Sequence, residues 1–322
     1  MPDQTVRRDV QQLLTYLDTS GFPPIQDQTP ADARASFAAS QPAADLPAQP
    51  LETVVDLVIP GPGGDLPARL LDARADRAAG PIVVWFHGGG FVTGGIASHT
   101  SLASQVAIEL DLPVVLIDYR LAPEARFPAA HDDAESAARW LASNPADFPG
   151  SVDGLVLAGD SAGGSLAITT SLALRDRPAE VPVLAHLAIY PATDAAGTYA
   201  SRETYAEGYL LTEAGRLWYD SHVRPVPEDR RASPLRADLA GLPPAVVMTA
   251  GLDPIRDEGR AYAAALIQAG VATTFLEAVG NIHAFVLMRK AIPSSVGDIR
   301  RVLRALRTTL QELPEVGTRP SP

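Results

Sequence analysis

The apolar residues of this 322-residue chain follow two rhythms, one helical and one strand-like. Val6, Val10, Leu13, Leu14 and Leu17 recur at helical spacing, which predicts an amphipathic helix ending before Gly21-Phe-Pro-Pro24. The stretch 29–50 is rich in Ala, Pro and Gln; it predicts at most a short helix near 31–39 and otherwise reads as mobile. Runs at 51–59 and 66–71 flank Pro60-Gly-Pro-Gly-Gly-Asp65, the pattern of an antiparallel hairpin. From there on, short apolar runs at 82–86, 113–117, 154–158, 183–189, 245–249 and 271–276 alternate with Ala-rich helical segments. Such alternation implies crossover units and a mainly parallel sheet covered on both faces.

One segment breaks the alternation. Residues 195–231 carry Tyr199, Tyr205, Tyr209, Trp218 and Tyr219 in a stretch too long for a plain connection. Two readings stand side by side: an ordinary satellite core, or an insertion that closes over a pocket. The N-terminal stretch has the same ambiguity, between a helix packed on the core and a lid. The plan is therefore an N-terminal segment 1–50, a core from 51–194 and 232–313, an insertion at 195–231 and a short loose tail at 314–322.

Composition narrows the function. The formal charge of −12 and the scattered arginines exclude a basic stripe, and with it nucleic acid or an anionic membrane as partner. There are no cysteines, so thiolate chemistry and a disulfide framework are out. No apolar run approaches the ~20 residues of a membrane span, and no signal-peptide core follows the start, so a soluble, cytoplasmic protein is the expectation.

Chemistry belongs at the carboxyl ends of the strands in open α/β sheets. After the run at 154–158 comes Gly159-Asp-Ser161-Ala-Gly163, then an Ala/Leu-rich helix. The flanking glycines allow a turn too tight for side chains, which would present the Ser161 hydroxyl above a helix N-terminus; taken alone, the serine could equally be a helix cap. After 82–86 comes His87-Gly-Gly-Gly90, a loop stripped of side chains whose N–H groups suit an oxyanion. A phosphate cradle fits poorly, since no Gly-Lys-Ser/Thr follows. His87 itself reads as packed behind the loop. After 245–249 comes Asp253, with Pro254 in the first turn of a predicted helix and Asp257 and Glu258 expected to be solvated or paired with Arg256 or Arg260. After 271–276 a loop leads to His283. His99, His131, His186 and His222 have no catalytic context, and no histidines show metal-ligand spacing, so no metal or cofactor is expected.

Serine, acid and histidine thus follow separate strands in the order Ser161, Asp253, His283, beside a His-Gly-Gly-Gly loop. With Asp118-Tyr-Arg-Leu-Ala-Pro-Glu124, Arg139-Trp140, Tyr190-Pro191 and Ile282-His283, the chain resembles the hormone-sensitive-lipase-like branch of the α/β-hydrolases, the bacterial family IV esterases, from about 80 to about 310. The resemblance implies an α/β-hydrolase fold with an eight-stranded, mostly parallel sheet flanked by helices, and a helical cap built from the N-terminal segment and 195–231. It implies a triad of Ser161, Asp253 and His283, and oxyanion-hole N–H groups from Gly89, Gly90 and Ala162. It further implies a small-molecule ester substrate, and a homodimer through the edge strand near 271–276.

The expected activity is carboxylesterase action on short- to medium-chain acyl esters through an acyl-enzyme. A non-catalytic ligand-binding protein on this scaffold, or an acyltransferase or amidase using the same triad, are the alternatives. Two departures from the family pattern stand out. Ala284 replaces the usual glycine after the histidine, which costs on the order of 1 kcal/mol if that position needs positive φ. Ser165 replaces a common asparagine below the serine turn.

Overall fold

The structure, a computed structural model, describes residues 5–313; the tail predicted at 314–322 lies outside them. Its centre is an eight-stranded sheet in the order β1-β2-β4-β3-β5-β6-β7-β8. The hairpin of β1 (Thr53–Gly61) and β2 (Gly64–Asp72) lies at one edge. β2 runs antiparallel to β4 (Val114–Ile117). All remaining pairs are parallel: β3 (Gly80–Phe86), β5 (Val152–Asp160), β6 (Val183–Ile189), β7 (Ala245–Leu252) and β8 (Thr273–Ile282).

The apolar runs are continuous because the sheet is covered on both faces. Val83, Trp85, Val156 and Ala158 point to one layer, where they meet α3 (Ile96–Leu110) and α9 (Ser295–Gln311). Ile82, Val84, Phe86, Leu155 and Leu157 point to the other, against α4 (Ala129–Ala142) and α5 (Ala162–Asp176). Successive residues alternate between layers as the period of two demands. Toward the far edge, α5 and α8 (Arg256–Gln268) close the second layer over β6 and β7.

The strand order reverses around β3. From it the chain moves outward to β4 and then returns to β5 on the opposite side, which opens a crevice at the carboxyl ends. Phe86 pairs with Gly159, so the loops after β3 and β5 leave the sheet side by side.

The sequence expectations need three adjustments. The stretch 29–50 is not loose: α2 (Pro30–Ala44) is a 15-residue helix with Thr29 capping Asp32 and Pro30 opening the first turn. It lacks an apolar stripe because polar groups tie it down. Arg34 forks onto Glu124 and reaches the carbonyls of Val92 and Ala122. The residue after the helix, Asp45, takes the N–H and guanidinium of Arg289 in a buried pair at 2.6 Å. Second, α8 begins at Arg256 with Ile255 as its cap, so Pro254 precedes the helix instead of opening it. Third, β8 continues to Ile282, so His283 follows the strand directly and not a loop.

Residues 195–231 contain α6 (Ala200–Thr204) and α7 (Glu213–Val223). Tyr205 packs with Val10 of α1 (Arg8–Thr19), and Trp218 with Ala33 of α2. The insertion and the N-terminal helices therefore share two small cores. Among the described residues no helix is long and apolar enough to cross a membrane.

Candidate active site

Ser161 stands at the tip of the turn between β5 and α5, with φ 55° and ψ −121°. That backbone is unfavourable for any residue with a Cβ and persists because its surroundings fix it. The Ser161 N–H donates to the Ile189 carbonyl at 2.8 Å, and the two flanking glycines let the chain fold back on itself.

His283 reaches over from the end of β8. Its Nε2 lies 2.9 Å from Ser161 Oγ, and its Nδ1 lies 2.6 Å from Asp253 Oδ2. Asp253 follows β7 and is completely buried; its Oδ1 accepts the Ile255 N–H at 2.9 Å. A carboxylate accepting at Nδ1 leaves Nε2 as the acceptor for the serine proton, the arrangement required for general-base activation. The three side chains predicted from separate strands are thus brought into one hydrogen-bonded row. Ala284 adopts φ 63°, so the alanine does occupy a left-handed position, and the turn that aims His283 carries that strain.

Beside the serine, Gly89 (φ 122°) and Gly90 (φ 59°) hold conformations suited to glycine. A methyl group on Gly89 would meet the Thr93 carbonyl at 2.1 Å, and one on Gly90 the Tyr219 ring at 2.3 Å. The N–H groups of Gly89, Gly90 and Ala162 donate to no protein acceptor among the described residues, and all three line the cavity that holds Ser161 and His283. They are candidate donors for a developing negative oxygen.

A buried network lies under this loop that sequence reasoning did not find. The Asp160 carboxylate accepts the Gly88 N–H at 3.2 Å and faces His99 Nε2 at 3.2 Å. Burial works to raise the Asp160 pKa, but the charge of and hydrogen bond from His99 hold it below the ordinary value. In the sequence Asp160 is one residue of the serine motif and His99 has no local context, since their meeting depends on α3 packing beneath β3 and β5. His87 is buried behind the loop as expected, stacked on Tyr119 at 4.1 Å. Ser165 donates to the Ala192 carbonyl at 2.5 Å, tying α5 to the chain after β6.

The cavity measures about 1000 Å³. Leu14, Phe22 and Phe37 from the N-terminal segment and Tyr209, Leu210 and Tyr219 from the insertion contribute apolar wall. Glu258 also lines it, in contrast to the surface or Arg256/Arg260 pairing expected for it. It is buried, accepts the Thr193 N–H at 2.8 Å and pairs with Arg202 at 2.7 Å. Burial pushes its pKa up to about 7, against the opposing pull of Arg202. Asp257 does pair with Arg256 and Arg260.

Several buried groups give stability a definite pH dependence. Burial lowers His87 to about 3 and His131 and His186 to about 4, from 6.5. A depressed histidine contributes stability that is present above the unfolded value and lost as pH falls toward the folded one. Glu258, raised from 4.5 to about 7, acts oppositely: it favours the fold as pH drops through 7 toward 4.5. For these four groups alone, three against one leaves an uptake of about two protons on unfolding near pH 5.5, or about 3 kcal/mol per pH unit, which the raised carboxyls of Asp118 and Asp220 reduce. Urea unfolding at about pH 6 and pH 5 should show that drop; equal stabilities would mean the histidines are not buried neutral.

A family profile described as alpha/beta hydrolase fold matches residues 83–287. Among curated proteins, a carboxylic ester hydrolase, LipN, of Mycobacterium tuberculosis is 38% identical over 273 residues, covering 81% of this chain and 71% of the relative. An ethyl acetate hydrolase of Pseudomonas putida is 38% identical over 255 residues, covering 77% of this chain and 80% of that one. Among solved structures, an α/β hydrolase enzyme from the metagenome of Lake Arreo superposes with a TM-score of 0.91 at 33% identity, over 95% of this chain and 99% of that one. A thermostable esterase from Pseudomonas putida gives a TM-score of 0.90 at 30% identity, over 97% of this chain and 100% of that one.

Proposed function

Since the chain belongs to the hormone-sensitive-lipase-like family of α/β-hydrolases and is a carboxylic ester hydrolase, we propose that it cleaves short- to medium-chain acyl esters through an acyl-enzyme on Ser161. The observation that carries this reading is the unbroken row from Asp253 through His283 to Ser161, beside unpaired backbone donors. Ser161 Oγ attacks the ester carbonyl carbon while His283 Nε2 takes its proton. The N–H groups of Gly89, Gly90 and Ala162 receive the oxyanion, and Asp253 stabilises the imidazolium. The imidazolium returns its proton to the alcohol oxygen as that C–O bond breaks, leaving acyl-Ser161. Water then attacks the acyl carbon, His283 takes a water proton and passes it to Ser161 Oγ, and the carboxylic acid departs.

The N-terminal segment 1–50 and residues 195–231 act as a cap over the core of 51–194 and 232–313. Support comes from the cavity wall, to which both contribute apolar side chains. Chain-length preference then follows from the depth this cap leaves above Ser161.

A panel of p-nitrophenyl esters from acetate to palmitate tests the substrate class, with phosphonate labelling as the chemical check. The expected result is a kcat/KM maximum at or below octanoate and a phosphonate adduct on the peptide carrying Ser161. A maximum at palmitate would overturn the chain-length reading, and an adduct elsewhere would overturn the nucleophile.

A further inference from the structure

Tyr190 follows β6 with φ 36°, a backbone region that a residue of its size rarely occupies. Such a conformation persists only where neighbours hold it. Here the Tyr190 N–H donates to the Met248 carbonyl on β7 at 2.5 Å, and the preceding carbonyl, of Ile189, accepts the Ser161 N–H on the other side. The residue is thus clamped between the turn that carries Ser161 and the strand that leads to Asp253. The clamp throws its ring, which is 1% exposed, across the carboxyl end of the sheet onto His283. The two ring centroids are 4.6 Å apart with planes tilted by 52°, and Phe285 braces the tyrosine edge-on at 5.3 Å.

We propose that Tyr190 is a positioning residue for His283: its ring walls one side of the imidazole, keeps it in line between Asp253 and Ser161, and favours the imidazolium formed in each half of the reaction. This rests on His283 being the catalytic base. A cation over the face of an aromatic ring, within about 6 Å of its centroid, is attracted by the ring's quadrupole, more strongly when water is excluded. The effect belongs to the ring and not to the hydroxyl. Burial and the charge of Asp160 raise the phenol far above its ordinary range, so it stays neutral. The hydroxyl lies near the Val286 backbone N–H and the Asp160 carboxylate without closing a hydrogen bond. The ionisable group bonded to His283 is Asp253, at Nδ1, while Asp160 and Glu258 line the same cavity. None of the three changes when Tyr190 is replaced by an uncharged side chain.

The test compares Tyr190→Phe, Tyr190→Leu and His283→Ala on p-nitrophenyl butyrate, with the rates of the Tyr190 variants referred to sites titrated by a phosphonate and that of His283→Ala to the folded fraction read by its melting curve. Tyr190→Phe should stay within about threefold of the parent, because the π-face remains. Tyr190→Leu should lose about tenfold in kcat with little change in KM, and the acidic limb of its kcat/KM profile should move to lower pH as the imidazolium loses its partner. Tyr190→Met serves in its place if the Leu variant does not fold. Parent-like kcat and pH profile in the Leu or Met variant, with His283→Ala inactive, would overturn this inference alone. An active His283→Ala would instead overturn the assignment of the base.

Discussion

Replacing Ser161 with alanine should lower kcat for p-nitrophenyl butyrate by on the order of 10⁵-fold or more, to a remainder set by binding and the backbone donors. The size of the loss follows from how the site is built. His283 Nε2 has the Ser161 hydroxyl as its partner at 2.9 Å, and its other nitrogen is committed to Asp253. Removing the oxygen leaves a base with nothing to deprotonate except water, in a geometry set for attack from Oγ. The fold should be untouched, because the strained backbone at φ 55° is pinned by the Ser161 N–H and the flanking glycines rather than by the hydroxyl. Steady-state assay of purified protein with an unchanged melting curve checks both halves. Residual turnover within about a hundredfold of the parent would show that another group carries the reaction.

Gly163→Ala should damage the enzyme by a different route. A methyl group there would sit 1.9 Å from the Phe86 carbonyl oxygen and 2.7 Å from that of His87. Both obstacles are backbone, at the end of β3 where the proposed oxyanion loop begins, so neither can swing aside as a side chain would. Relief requires α5 to back away from the sheet, which displaces Ser161 and Gly88–Gly90 relative to each other. The expected cost is about 3 kcal/mol of stability and about a hundredfold in kcat, read by denaturant unfolding and by assay of the folded fraction. Gly297→Ala is the control. It lies in α9 with open space around the added methyl and should be neutral or slightly stabilising. Equal behaviour of the two variants would mean that close approach at Gly163 is not what the glycine is for.

What was legible in the sequence was whatever is written locally. Gly159 and Gly163 around Ser161, the glycines after Phe86, and an acid and a histidine each following an apolar run were enough to locate the site, because strand ends converge whenever the sheet is parallel. The helix α2 was hard to see for the opposite reason. It docks mainly by Arg34 and the neighbouring Asp45, with Ala33 and Phe37 as its apolar contacts, so the sequence shows only the short helix expected near 31–39. The end of β8 was hidden by Glu277, Gly280 and Asn281, polar or flexible residues that belong to the strand only through its pairing with β7. His99 beneath Asp160, Arg202 against Glu258 and Tyr190 against His283 come from residues 50 or more positions apart or from an unusual dihedral, and neither leaves a local pattern.

The Asp45–Arg289 pair has a consequence for anyone recombining these enzymes. Both groups are almost wholly enclosed, and Arg289 lies only six positions beyond His283. A chimera that grafted a foreign leading segment without its aspartate would strand a guanidinium in the interior, a penalty of several kcal/mol. Exchanging the two partners as a linked cassette would spare the recipient that burden.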